Sequence, residues 1–175
     1  HTYYKRKEKN IKAFIKNYNN KIIVNNIFER RFNMNEDINA LDEINKGCSM
    51  GIDAINYILD KVEDDKFSNF LQKQSDDYKK ISNKIEKIYN NYNEGEPHET
   101  NVINKVMTWS GVNMKTLTDH SNSKIAELLL QGTNMGIIEG RKILNNKKLN
   151  EEVSNIIDEY VNMQEKCVET LKEYL

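Results

Sequence analysis

One proline, two cysteines and three histidines are all that 175 residues contain of the types that most sharply constrain a fold or a site. Cys48 and Cys167 are isolated, with no Cys-x-x-Cys spacing, so no dithiol redox motif is present and buried, reduced thiols are expected. No segment has the roughly 18 consecutive apolar residues of a membrane span. Residues 21–28 are too short and too rich in Asn for a signal-peptide core, so a cytoplasmic protein is expected. There is no glycine-rich phosphate loop behind a strand, no Gly-x-Ser-x-Gly elbow and no Cys/His cluster. The length and the 38% hydrophobic fraction suit one domain around a single core.

The formal net charge of -1 conceals two unlike parts. Residues 1–33 carry nine Lys/Arg and two Glu, a net +7, whereas the remainder carries 17 Lys/Arg against 25 Asp/Glu, a net -8. A basic arm with interleaved Tyr3, Tyr4, Phe14 and Tyr18 has the composition of a nucleic-acid or anionic-membrane tether. A different origin fits the same residues better. The first methionine, Met34, stands just ahead of the first clear helical pattern. Glu29-Arg30-Arg31 can be encoded by a purine run containing AGGAGG, a ribosome-binding sequence, with Phe32-Asn33 as its spacer. Residues 1–33 are accordingly expected to be a translated leader, an overlong gene model or a disordered basic arm. Residues 34–175 are expected to be the folded body, with no nucleic-acid partner. Sequencing the N-terminus of the native protein checks this, and a start upstream of Met34 overturns it.

What the chain does have is a repeat. Gly47, Met50, Gly51, Ile52, Ile58 and Leu59 recur 85 positions later as Gly132, Met135, Gly136, Ile137, Ile143 and Leu144. The register then slips by one. At a spacing of 86, Ser68 and Asn69 match Ser154 and Asn155, and Phe70, Leu71, Ile81 and Ile85 fall on Ile156, Ile157, Cys167 and Leu171. An amphipathic hairpin cannot bury its apolar stripe alone, but two copies packed about a pseudo-twofold axis can, as a four-helix bundle.

The periodicity predicts a first helix from about Glu36 to Val62, capped by Asn35, with Leu41, Ile44, Cys48, Ile52, Ile55, Leu59 and Val62 on one stripe. Asp64 or Asp65 can cap a second, whose stripe is Phe67, Phe70, Leu71, Gln74, Tyr78, Ile81, Ile85, Ile88 and Tyr92. Gly95 and Pro97 end the first repeat, about 36–92. The crossover, 93–120, holds a short amphipathic helix with Val102, Ile103, Val106, Met107, Trp109, Met114 and Leu117. Ser121 or Ser123 then caps a third helix carrying Ile125, Leu128, Leu129, Gly132, Gly136, Ile143 and Leu144. Asn150 caps a fourth, with Glu151 and Glu152 in its first turn and Val153, Ile156, Ile157, Tyr160, Gln164, Cys167, Leu171 and Tyr174 on its stripe. An all-α bundle of two hairpins (36–92 and 121–175) joined by a long crossover is ferritin-like connectivity.

Gly47, Gly51, Gly132, Gly136 and Gly140 fall inside predicted helices, where each costs about 1 kcal/mol relative to alanine. Their spacing places them on one ridge per helix. A close backbone crossing of the first and third helices is therefore expected.

A di-iron or di-manganese bundle needs a carboxylate from each of two helices and a Glu-x-x-His pair from each of the other two. No Glu-x-x-His occurs, and His1, His98 and His120 all fall outside the predicted bundle helices. The central positions hold Gln74 and Tyr78 on the second helix and Tyr160 and Gln164 on the fourth, the same types exchanged by the pseudo-twofold. An amide and a phenol four residues apart can bridge to one another, giving a hydrogen-bonded polar layer that sets helix register. Glu139 alone among the carboxylates is well placed to face the core.

Lys61-Val62-Glu63-Asp64-Asp65, Gln74 with Tyr78, the segment from Ile125-Ala126-Glu127 to Gly132-x-x-Met135-Gly136, and the closing Leu171-Lys172-x-x-Leu175 resemble an uncharacterised group of bacterial ferritin-like helical-bundle proteins. The resemblance covers nearly all of Met34 to Leu175 and implies a ferritin-like bundle and cytoplasmic residence, with no activity attached. The expected function is a non-enzymatic scaffold or protein-interaction module without a cofactor. Met107 and Trp109 would be its partner surface, and a protein partner or a second copy of the chain its partner. The alternative is a metal-binding or oxidoreductase protein with an atypical iron or manganese centre at Glu139.

Overall fold

The computed structural model describes residues 2–92 and 117–175, and within residues 1–33 it describes the side chains of residues 16, 21–25 and 33 only. Every regular element among the described residues is helical. Helix α1 spans Thr2–Ile58 and runs into a 3-10 turn at Leu59–Lys61. Helix α2 spans Asp65–Asn91, α3 Asn122–Asn146 and α4 Glu151–Lys172. None of these helices is long and apolar enough to cross a membrane. The chain divides into two compact units, His1–Asn35 and Glu36–Leu175. In the first, the described side chains of residues 21–25 are exposed, Ile22, Ile23 and Val24 among them.

Asn35 is not a cap: it lies inside α1. No glycine or proline precedes Gly47, and asparagine costs a helix interior less than about 1 kcal/mol, so nothing local stops the helix there. The other three starts carry side-chain caps that satisfy a first-turn donor. Asp64 accepts from the Phe67 N–H at 2.8 Å, Ser121 from the Lys124 N–H at 3.3 Å, and Asn150 from the Glu152 N–H at 3.4 Å.

The core of the second unit is built from α2 and α4, each of which buries nine side chains, together with α1, which buries eight over residues 37–58. Phe67, Leu71, Ile81, Ile85 and Ile88 of α2 and Val153, Ile157, Val161 and Leu171 of α4 supply most of the apolar volume. Each such side chain contributes about 1.5–3 kcal/mol when removed from water. Tyr174, just beyond α4, stacks on Phe67 with ring centroids 4.2 Å apart, closing that end. Between α2 and α4 an ion pair joins Lys84 and Glu159 at 2.6 Å, and Arg141 of α3 reaches Asp158 at 3.3 Å and Glu165 at 3.0 Å. These pairs are exposed and worth at most about 1 kcal/mol each.

A buried carboxylate ties three elements of this unit together. Asp37 is 2% exposed; its Oδ1 accepts the Asn150 N–H at 2.9 Å and its Oδ2 accepts the Tyr92 hydroxyl at 3.0 Å. The start of α4 and the end of α2 are thereby pinned to α1. One turn further along α1, Asp42 accepts the Tyr89 hydroxyl.

Candidate functional site

The two copies of the Gly-x-x-Met-Gly block border one cavity of about 380 Å³. Gly47, Met50 and Gly51 line it from α1, and Gly132, Met135 and Gly136 from α3. Gln74 and Tyr78 enter from α2, and Tyr160, Gln164 and Cys167 from α4. Ile44, Ile55, Leu71, Leu128 and Leu129 make the lining mostly apolar. Glu43 and Glu139 also border it and are solvent-exposed, so they stand at its rim, as does the half-buried Lys46.

The glycines make room for side chains. A Cβ at Gly47 would meet Tyr160 Oη at 2.5 Å. One at Gly136 would meet Gln164 Nε2 at 2.5 Å and Tyr160 Oη at 2.6 Å. At Gly51 it would run into the Tyr78 ring, with Cζ at 2.5 Å and Cδ2 at 2.9 Å, and at Gly140 into Val161 Cγ2. Their neighbours are side chains from α2 and α4, and not the backbone of the opposite glycine helix. Phenol and amide groups occupy the places that Cβ atoms would otherwise take.

Three of the four central polar residues form a chain. Tyr78 donates its hydroxyl to Gln164 Oε1 at 2.7 Å, and Gln164 Nε2 donates to Tyr160 Oη at 3.0 Å. The two rings lie 6.5 Å apart and tilted by 47°. Gln74, only 6% exposed, is the exception: among the described residues its Nε2 has no hydrogen-bond partner. Burial holds the ionisation of both Tyr78 and Tyr160 above the usual phenol range, so both remain neutral. Burial likewise pushes the Cys48 and Cys167 thiols up to about 12, which leaves neither a thiolate nucleophile nor a ready metal ligand.

This donor set does not fit a di-metal centre. Neutral phenols and amides replace the carboxylates and imidazoles that would hold iron or manganese. Among the described residues no group of three or more His, Cys, Asp or Glu gathers to hold a metal ion. Glu139 borders the cavity from its exposed rim. His120 is exposed ahead of α3, and His98, Met107 and Trp109 lie outside the described residues.

Met50, Met135 and Thr133 are among the cavity residues that sequence reasoning left without a role. Met50 and Met135 carried a signal, since both belong to the Gly-x-x-Met-Gly block, whereas Thr133 carried none. The Thr133 hydroxyl is spent on the Leu129 carbonyl at 2.8 Å. Comparison of the chain with protein-family models, with curated proteins and with solved structures finds no match.

Proposed function

We propose that residues 34–175 form a non-enzymatic, ferritin-like four-helix bundle of two repeated hairpins joined by a long crossover, and that it works by binding. The observation carrying this reading is the cavity, where the repeated glycine block and the phenol–amide layer meet around space large enough for a small molecule. A bundle that only needed to be stable would lose little by filling that space with larger side chains. A protein partner or a second copy of the chain, docking through Met107 and Trp109, belongs to the same reading as a binding scaffold.

The rival, an atypical iron or manganese centre, draws its support from Glu139 and Glu43 bordering the same cavity. Anaerobic incubation of the full chain with Fe(II) and Mn(II), followed by desalting and elemental analysis, decides between them. The expected result is well under one metal per chain. Two metals per chain would overturn the binding reading.

A further inference from the structure

The cavity presents two unspent hydrogen-bond donors and no buried charge. Among the described residues Gln74 Nε2 is buried without a hydrogen-bond partner, and the Tyr160 hydroxyl accepts from Gln164 and donates to none. Gln74 and Tyr160 stand 86 positions apart, at equivalent places in the two repeats. They therefore offer one donor each from α2 and from α4. An unpaired buried donor is costly when the cavity is empty, and a ligand oxygen would relieve that cost.

The other lining groups narrow the choice. The buried wall is apolar, and the hydroxyl of Tyr78 is already committed to Gln164. At the rim two carboxylates, Glu43 and Glu139, outnumber one lysine, Lys46, which lies 3.9 Å from Glu43. An anionic headgroup would meet net repulsion there and no cation inside. A cationic group would face donors. Since a cavity of about 150 Å³ holds benzene, this one suits roughly 15 non-hydrogen atoms.

We infer that the cavity takes an uncharged, mostly apolar molecule bearing a carbonyl oxygen, whose two lone pairs accept from Gln74 and Tyr160; this rests on the reading of the bundle as a binding module.

The test titrates the full chain by calorimetry with three probes of similar size: benzophenone, diphenylmethane, which has a methylene in place of the carbonyl, and 4-benzoylbenzoate, which adds a negative charge. Benzophenone is expected to bind at least tenfold more tightly than either of the others. Gln74→Leu removes the unpaired amide and is expected to unfold thermally no earlier than the parent. It cuts the preference for benzophenone over diphenylmethane to below about threefold while diphenylmethane binds as before, and Tyr160→Phe acts in the same direction. Equal affinity for benzophenone and diphenylmethane, tightest binding of the carboxylate, binding of none of the three, or a preference that survives Gln74→Leu each overturns the inference. Failure here is distinguishable from failure of the underlying reading, because only two metals per chain removes the latter.

Discussion

Within Glu36–Leu175 the helices α1, α2 and α4 bury their apolar stripes deeply, whereas α3 uses its stripe differently. Nine side chains are buried on each of α2 and α4 and eight on α1 over residues 37–58, whereas α3 buries five. Leu128, Leu129, Gly132 and Gly136 of α3 stay half-buried along the cavity. The cause lies at the middle of each helix. Where α2 and α4 carry tyrosine and glutamine, long enough to reach one another, α1 and α3 carry glycine, which yields its Cβ volume to those side chains and leaves the rest of the gap open. Matching patterns of apolar residues thus do not guarantee matching packing, because side-chain size at a few central positions decides where the empty space goes.

Alkali is expected to act most strongly, because thiols and phenols with raised pKa values are gathered in the buried core of α1, α2 and α4. Cys48 and Cys167 rise from 9.0 to about 12, and Tyr92, through burial and then the Asp37 carboxylate, rises from 10.0 to about 12. The unfolded chain releases these protons first, so the folded state holds more of them at high pH. Their contribution is complete below pH 9 and is lost as pH rises from 9 through about 12. Each of the two buried thiols withdraws up to about 1.4 kcal/mol per pH unit, enough together to bring a domain of ordinary stability close to unfolding, and the more exposed Tyr92 adds less. Urea midpoints measured from pH 8 to 11 are expected to fall, and Cys167→Ala is expected to flatten the fall; a constant midpoint would break the argument.

Truncation comes next. Phe67→Ala removes a fully buried ring from α2 and is expected to cost about 3–5 kcal/mol in urea unfolding. Leu128→Ala, on the half-buried stripe of α3, should cost less than half of that, and equal costs would mean that α2 and α3 pack alike. Gly51→Leu places a side chain into the Tyr78 ring and is expected to cost about 1–3 kcal/mol, overriding the gain in helix propensity. Tyr78→Phe leaves Gln164 Oε1 without its donor, for an expected loss of about 1–3 kcal/mol.

Much of α2, of α4 and of the buried stripe of α1 was legible in the sequence, and much of α3 was not. The stripes of α2 and α4 and their caps, Asp64 and Asn150, follow from spacing and from side chains that compete for first-turn N–H groups. Leu128 and Leu129 read the same whether they meet another helix or border a cavity, because periodicity reports polarity and not distance. The glycine ridges announced that something presses close, but the tyrosines pressing on Gly47 and Gly51 come from other helices. Asp37 gave no sign of burial. One of its donors is a backbone N–H 113 positions away, which no local pattern can show. The run of α1 through Asn35 was equally hidden, since a missing stop signal is weaker information than a present one.

The smallest expected change in stability is the most diagnostic of how the halves differ. Gln74 and Tyr160 hold equivalent positions, yet Tyr160 is joined to Gln164 while Gln74 Nε2 is left unpaired. If the repeat were symmetric in energy as well as in sequence, removing either polar group would destabilise to a similar degree. The structure makes them unequal. Tyr160→Phe strips the acceptor from Gln164 Nε2 and is expected to cost about 1–3 kcal/mol. Gln74→Leu discards an amide whose Nε2 has no hydrogen bond to lose among the described residues, replaces it with an apolar side chain at a 6% exposed position, and is expected to lie within about 0.5 kcal/mol of the parent or above it. Urea unfolding of the two variants beside the parent measures the difference. Equal losses would mean that Gln74 is bonded in solution and that the polar layer closes on the α2 side as well as on the α4 side. An unequal result leaves one donor free at the cavity wall, where a ligand oxygen can meet it.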